Sequence, residues 1–355
     1  MPSTPSEPES SYDVENQLLF KEILARLVCG DTLNEEEARR VFHTIMTGGA
    51  DNAQIGALLS LIQMRGVTVE ELAGAARVMR AFVTPVVIDE KLQSNIIDTC
   101  GTGGAPKTFN ISTAAAIVAA GAGAKVAKHG NRSRTGRGSA EILQAFGVNI
   151  EAEPAVQSRC LDEVGVSFSF AVNHHPAVKF AMPARRALGF PTIFNLLGPL
   201  TNPAGATRQL IGVYHADFIE PMAEVLHRLG AKHALIVHGR DCLDEMTTTA
   251  PTLVSELKDD AVNSYEIDAR EFGLMRSTLE DLKAESLDEA VSIMRFILDN
   301  QPGPKLDIVL LNAGAALLTA DLAPNMEEGV AKARESVESG CAKETLEKLI
   351  QISNS

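Results

Sequence analysis

The sequence has no surplus of basic charge, no paired cysteines and no long apolar run. It carries 46 acidic against 32 basic residues, a formal net charge of −14. Broad nucleic-acid binding needs a basic face, so that class is not expected, although an acidic chain can still hold a local cationic pocket. The five cysteines (Cys29, Cys100, Cys160, Cys242 and Cys341) are scattered without a CxxC pair. A zinc-ligand spacing is therefore absent, and a disulfide framework is not expected in a chain of 355 residues. No segment approaches the roughly 18 apolar residues of a membrane helix, so no membrane partner is expected. The opening MPSTPSEPESSYDVEN lacks the basic and apolar regions of a signal peptide. Rich in Pro, Ser and Glu, it predicts a disordered tail over residues 1–16 and, with the rest, a cytoplasmic enzyme. No internal repeat is evident.

What is present divides the chain. Apolar residues at 45% and charged residues at 22% suit a folded core. Residues 17–83 read as four short amphipathic helices within a helical domain over 17–90. Asn34 with Glu37, Asp51 with Gln54, and Thr68 with Glu71 have the spacing of capping boxes at three helix starts. Such helices build a small helical domain or a packing surface for a second subunit, and helices near 175–195 are expected to join them. From residue 91 to 355 the pattern becomes α/β. Apolar runs NIID, AKVAKH, VSFSFA, QLIGVY, HALIVHG and LDIVLLN alternate with helical stretches near 112–121, 139–146, 155–164, 217–229 and 313–318. That alternation predicts a central, mostly parallel sheet covered on both faces. PTLVSEL and NSYEID predict an added antiparallel pair.

Four polar segments stand out. IIDTCGTGG followed by NISTAAAIVAA is strand, glycine turn and helix start, where free N–H groups, the helix dipole and the hydroxyls of Ser112 and Thr113 suit an anion. By itself the turn is an ordinary strand-to-helix connection, and those hydroxyls are ordinary caps. AKHGNRSRTGRGSAE then gathers Lys128, His129, Arg132, Arg134 and Arg137 at the end of another strand, where parallel sheets bind ligands. HGRDCLDEMTTTAPT sets Asp244 beside Glu245 after HALIV. A bare acidic pair is usually only surface, but beside a phosphate cradle it suits Mg²⁺. In NHHPAVKFAMPARRALGF, His174 and His175 lack a third zinc ligand and are expected to cap or orient the following helix. Arg185 and Arg186 suit a carboxylate, which the guanidinium fork grips with two bonds.

TFNIST, KHGNRS, RRALG..TIFNLLGPLTNPA and LDEMTTT, in this order, resemble the anthranilate phosphoribosyltransferases, whose wider family includes pyrimidine nucleoside phosphorylases. The resemblance covers nearly the whole chain, to LNAGAALL. It implies a helical domain beside a large α/β domain of the nucleoside phosphorylase/phosphoribosyltransferase type, Mg²⁺ as cofactor, and a homodimer. The implied substrates are phosphoribosyl pyrophosphate and anthranilate. By position, Gly101, Gly104, Thr108, Asn110, Ile111, Ser112, Thr113, Lys128 and Ser139 would hold the donor. Gly101, His129, Asn131 and Arg185 would face anthranilate, and Ser112, Asp244 and Glu245 would hold Mg²⁺. The pattern departs from the family at Ala105, where an aspartate is usual, in a spacer shorter by one residue before TFN, and in a shorter, arginine-bearing loop after KHGNRS.

The implied reaction, in tryptophan biosynthesis, is attack of the anthranilate amine on ribose C1 with loss of pyrophosphate, giving N-(5-phosphoribosyl)-anthranilate. No residue is required as acid or base, and alignment with electrostatics would carry catalysis. The alternatives are another aromatic acceptor, a pyrimidine nucleoside phosphorylase-like enzyme and a non-catalytic, nucleic-acid-binding relative. The −14 charge and the Asp244–Glu245 pair weigh against the last.

Overall fold

All three expected capping boxes close. Asn34 Oδ1 accepts from Glu37 N (2.9 Å) while Glu37 Oε2 accepts from Asn34 N (3.0 Å). Asp51 with Gln54 and Thr68 with Glu71 repeat the exchange. They start α2 (Glu35–Met46), α3 (Asn52–Arg65) and α4 (Val69–Ala81), which follow α1 (Ser11–Val28). The computed structural model describes residues 11–355 except 94, 104–107 and 134–135. The expected tail is corrected for residues 11–16, which are helical. The last proline before them is Pro8, and no later one interrupts the helix. Residues 1–10 lie outside the described residues.

The chain forms two units. One comprises the residues up to Phe82 together with His175–Leu197; the other comprises Val83–His174 and Gly198–Ser355. In the first, α2 packs on α4. Gly74 permits this, because a Cβ there would lie 2.4 Å from Glu35 O. The buried Glu71 carboxylate accepts from Leu33 N (3.0 Å) and pairs with Arg65, tying the α1–α2 connection to α4.

The second unit is built on a seven-stranded sheet. Its strands are β1 (Ile96–Gly101), β2 (Lys125–Gly130), β3 (Val166–Phe170), β4 (Arg208–Gly212), β5 (His233–Gly239), β6 (Thr252–Lys258) and β7 (Ala261–Ile267). Their order is β3-β2-β1-β4-β5-β6-β7. The first five are parallel, and β6 and β7 add the expected antiparallel pair. The parallel strands β3 and β5 are buried along their whole length, as a parallel sheet between helices requires.

One expected strand is a helix. LDIVLLN lies within the 16-residue helix Pro304–Thr319, which also absorbs the helix expected at 313–318. It packs on the Ile111–Gly121 and Met326–Glu338 helices, and every residue from Ile308 to Thr319 is buried. A helix buried all round has no polar face, so its sequence shows no helical period. Pro304, at the first turn, marks its start. Among the described residues no helix is long and apolar enough to cross a membrane.

Candidate active site

Strands β1, β2, β4 and β5 all end in glycine: Gly101, Gly130, Gly212 and Gly239. These carboxyl ends are where an open parallel sheet forms its ligand crevice. The bare ends let the β5–β6 loop cross them. A Cβ on Gly212 would lie 1.6 Å from Asp244 O, and one on Gly101 would lie 2.8 Å from Asp244 Oδ2. Gly101 is among the expected site residues; Gly212 is not, and its sequence signal is the glycine closing QLIG.

Side chains within the loop brace it. Asp241 Oδ2 accepts from Thr247 Oγ1 (2.6 Å) and from Thr249 Oγ1, and Thr247 N donates to Thr252 Oγ1 (3.0 Å). Asp244 Oδ2 thereby accepts from Gly103 N (3.1 Å), and Glu245 Oε1 accepts from Ser112 N (3.2 Å) at the start of the Ile111–Gly121 helix. The carboxylates expected to hold Mg²⁺ thus lie against the glycine turn and the helix start.

Lys128 joins them from β2. It is nearly fully buried, and its Nζ donates to Thr99 O (2.6 Å) and Ser112 Oγ (3.3 Å). Burial pushes the Lys128 pKa down, and the negative charge of Asp98 opposes that shift. Asp98, missed from sequence, is fully buried on β1 and accepts from His129 N (3.0 Å). Its carboxyl is raised by burial, against the pull of Lys128. The apolar reading of IID hid it. Burial also raises Asp244, while Glu245 is pushed up to about 8 by burial and then by Asp244. Two crowded carboxylates with raised affinity for protons are a site that favours a cation.

Among the described residues, no group of three or more His, Cys, Asp or Glu side chains is assembled to hold a metal. An all-protein cage for a softer metal is thus lacking there. The pair of carboxylates with the Ser112 hydroxyl offers hard oxygen donors, which fits Mg²⁺, an ion usually held by one or two carboxylates plus substrate phosphates.

The other expected site residues are more dispersed. Asn110 Nδ2 donates to Arg137 O (2.9 Å), joining the helix start to the arginine-bearing loop. Thr108 Oγ1 donates to Phe109 O (3.1 Å), and Ser139 Oγ donates to Asn131 O (3.3 Å). Ile111 and Thr113 are buried, and the Ile111 side chain belongs to the core. His129 is buried and Asn131 exposed. Gly104, Ala105 and Arg134 lie outside the described residues. Arg185 belongs to the helical unit, where its guanidinium lies 4.8 Å from the Phe194 ring centre and burial lowers its pKa. His174 is not the expected cap: its buried ring contacts Thr84 O (2.7 Å) and Gln157 Nε2 (2.9 Å). It closes the short helical turn Ala171–His174 rather than opening the helix after it.

The sequence matches the family described as "Glycosyl transferase family, helical bundle domain" over residues 21–83, and "Glycosyl transferase family, a/b domain" over 93–343. It is 48% identical over 338 residues to the anthranilate phosphoribosyltransferase of Rubrobacter xylanophilus, covering 94% of this chain and 98% of that protein. It is 48% identical over 334 residues to that of Methylococcus capsulatus, covering 94% and 97%. The crystal structure of anthranilate phosphoribosyltransferase from Thermus thermophilus superposes with a TM-score of 0.88 at 39% identity, covering 94% of this chain and 99% of that one. The Saccharomyces cerevisiae enzyme in complex with PRPP and Mg shares the fold, with a TM-score of 0.85 at 24% identity over 95% of this chain and 98% of that one.

Proposed function

The chain belongs to the anthranilate phosphoribosyltransferase family, and from that premise we propose that it transfers the 5-phosphoribosyl group of phosphoribosyl pyrophosphate to anthranilate. The products are N-(5-phosphoribosyl)-anthranilate and pyrophosphate, a step of tryptophan biosynthesis. The observation that carries this reading is the convergence of Lys128, Ser112, Asp244 and Glu245 at the carboxyl ends of parallel strands, against a helix start.

In this reading the N–C1 bond forms as the C1–O bond to pyrophosphate breaks, and the amine proton passes to solvent. Lys128 offsets charge on the departing group, and the N-terminal end of the Ile111–Gly121 helix, with Asn110, Ser112 and Thr113, binds phosphate. Ser139 and the main chain of Gly101, Gly104, Thr108 and Ile111 complete the donor site. Arg185 is assigned to the anthranilate carboxylate, with His129 and Asn131 on the acceptor side. Asp244, Glu245 and Ser112 would hold Mg²⁺, which when bound neutralises pyrophosphate charge. The anthranilate amine is uncharged at neutral pH, so no strong base is needed. Holding two reactants in line can supply ~7–11 kcal/mol of barrier reduction. A homodimer and a cytoplasmic location complete the reading.

The test is release of pyrophosphate from phosphoribosyl pyrophosphate with Mg²⁺. Release that requires anthranilate supports the assignment. Release with a different aromatic amine alone, or phosphorolysis of a pyrimidine nucleoside in its place, overturns it.

A further inference from the structure

The Pro304–Thr319 helix is apolar over most of its buried length, yet Asn312 stands in its middle with no exposed surface. An amide in such a place is costly unless its hydrogen bonds are made. Two of them are made to one residue of the β5–β6 loop. Asn312 Oδ1 accepts from Met246 N (3.1 Å), and Asn312 Nδ2 donates to Met246 O (2.8 Å). The same Nδ2 donates to Ile308 O one turn back (2.8 Å), which fixes the direction of the amide. One side chain therefore holds both main-chain polar groups of Met246, which is itself fully buried.

Met246 directly follows Glu245. We infer that Asn312 is a positioning residue for the carboxylate pair, holding the Met246 main chain so that Glu245 and Asp244 face Ser112 and Gly103. The inference rests on the reading of that pair as the Mg²⁺ site. An aliphatic side chain of similar volume would fill the same space in the helix and leave both Met246 groups buried without partners. The loop would then turn to satisfy them, and the turn would carry Glu245 with it. An ion held by two carboxylates has few protein ligands, so a displaced pair loses affinity directly. Asn312 touches neither donor nor acceptor in this account; it acts through the loop.

The experiment titrates Mn²⁺ as a Mg²⁺ substitute into the full-length protein, with and without phosphoribosyl pyrophosphate, following free ion by electron paramagnetic resonance. Wild type, Asn312→Ala, Asn312→Asp and the double variant Asp244→Asn with Glu245→Gln are compared. Asn312→Asp keeps the acceptor for Met246 N but loses both donated bonds. Each Asn312 variant is expected to bind Mn²⁺ at least tenfold more weakly at temperatures where its circular dichroism matches wild type. Its donor KM should rise at limiting metal, with the anthranilate KM unchanged. A folded Asn312 variant with wild-type metal affinity overturns the inference, whatever its loss of Tm. If the double carboxylate variant binds Mn²⁺ as well as wild type, or wild type does not bind it, the premise fails instead. Hydrogen exchange in the wild type needs no variant: slow exchange of the Met246 amide is expected, and fast exchange overturns the clamp.

Discussion

Asp244 and Glu245 accept from the main-chain N–H groups of Gly103 and Ser112 at 3.1 and 3.2 Å, so both carboxyl groups are held at the crevice by the main chain. Replacing both by Asn and Gln keeps their shape and removes a repulsion. Thermal stability should be kept or slightly raised, while activity falls by orders of magnitude with a higher Mg²⁺ requirement. Melting curves and initial rates against Mg²⁺ check this; full activity at limiting Mg²⁺ would refute the metal assignment. Arg185 supports a different measurement. Its fork, stacked on Phe194, suits a carboxylate in two parallel bonds. Arg185→Ala should raise the anthranilate KM with little change in donor KM, and Arg185→Lys should rescue it poorly, because an ammonium lacks the fork. An equal rise in both KM values would argue for a structural role. Arg137 departs from the family pattern, and its main chain is held by Asn110 Nδ2 and by Ser133 Oγ (2.9 Å). If its charge serves the donor, Arg137→Ala weakens inorganic pyrophosphate binding most at low Mg²⁺. No change at low Mg²⁺ would exclude that role.

Helix starts and turns give predictions that concern stability alone. The Asn34 cap of α2 satisfies an otherwise unpaired N–H, so Asn34→Ala should cost about 1 kcal/mol in a denaturant titration without touching the kinetics. Asp268 caps the short helical turn Ala269–Phe272 and pairs with Arg270 (2.7 Å) and Arg276 (2.6 Å). These contacts, the Arg270 hydrogen bond first, lower its pKa to about 2 from the usual 3.8. A carboxyl held below its unfolded value stabilises the fold above about pH 4, and that contribution is lost as the pH falls toward 2. Asp268→Asn should therefore flatten the fall of stability between about pH 4 and 2, as read by urea midpoints. An unchanged slope would show that the pair contributes nothing. The capping boxes were legible because each is closed by residues three apart. The Pro304–Thr319 helix was not, because its burial is set by the helices around it, and a buried helix and a buried strand are both continuous apolar runs.

At the scale of the molecule, Leu18, Val28 and Met64 of the helical unit are apolar and well exposed in the single chain. The proposed homodimer would cover such surface. The protein should sediment as a dimer at micromolar concentration, and Leu18→Glu with Val28→Glu should shift it toward monomer; a wild-type monomer would refute the assembly. Local patterns in the chain were enough to read the five parallel strands, the antiparallel pair after them, and the motifs TFNIST, KHGNRS and LDEMTTT, though not the buried helix that LDIVLLN forms. Those features depend on neighbours within a few residues, which periodicity, caps and glycine turns report directly. Three features come from packing alone: Gly212 must be bare, Asp98 is buried where it acts on Lys128, and Asn312 reaches the loop from 66 residues away. Each of these depends on which strand ends adjoin and which loop crosses them. A buried polar residue looks the same in the sequence whether its partner is near or far, and only the packed fold supplies the partner.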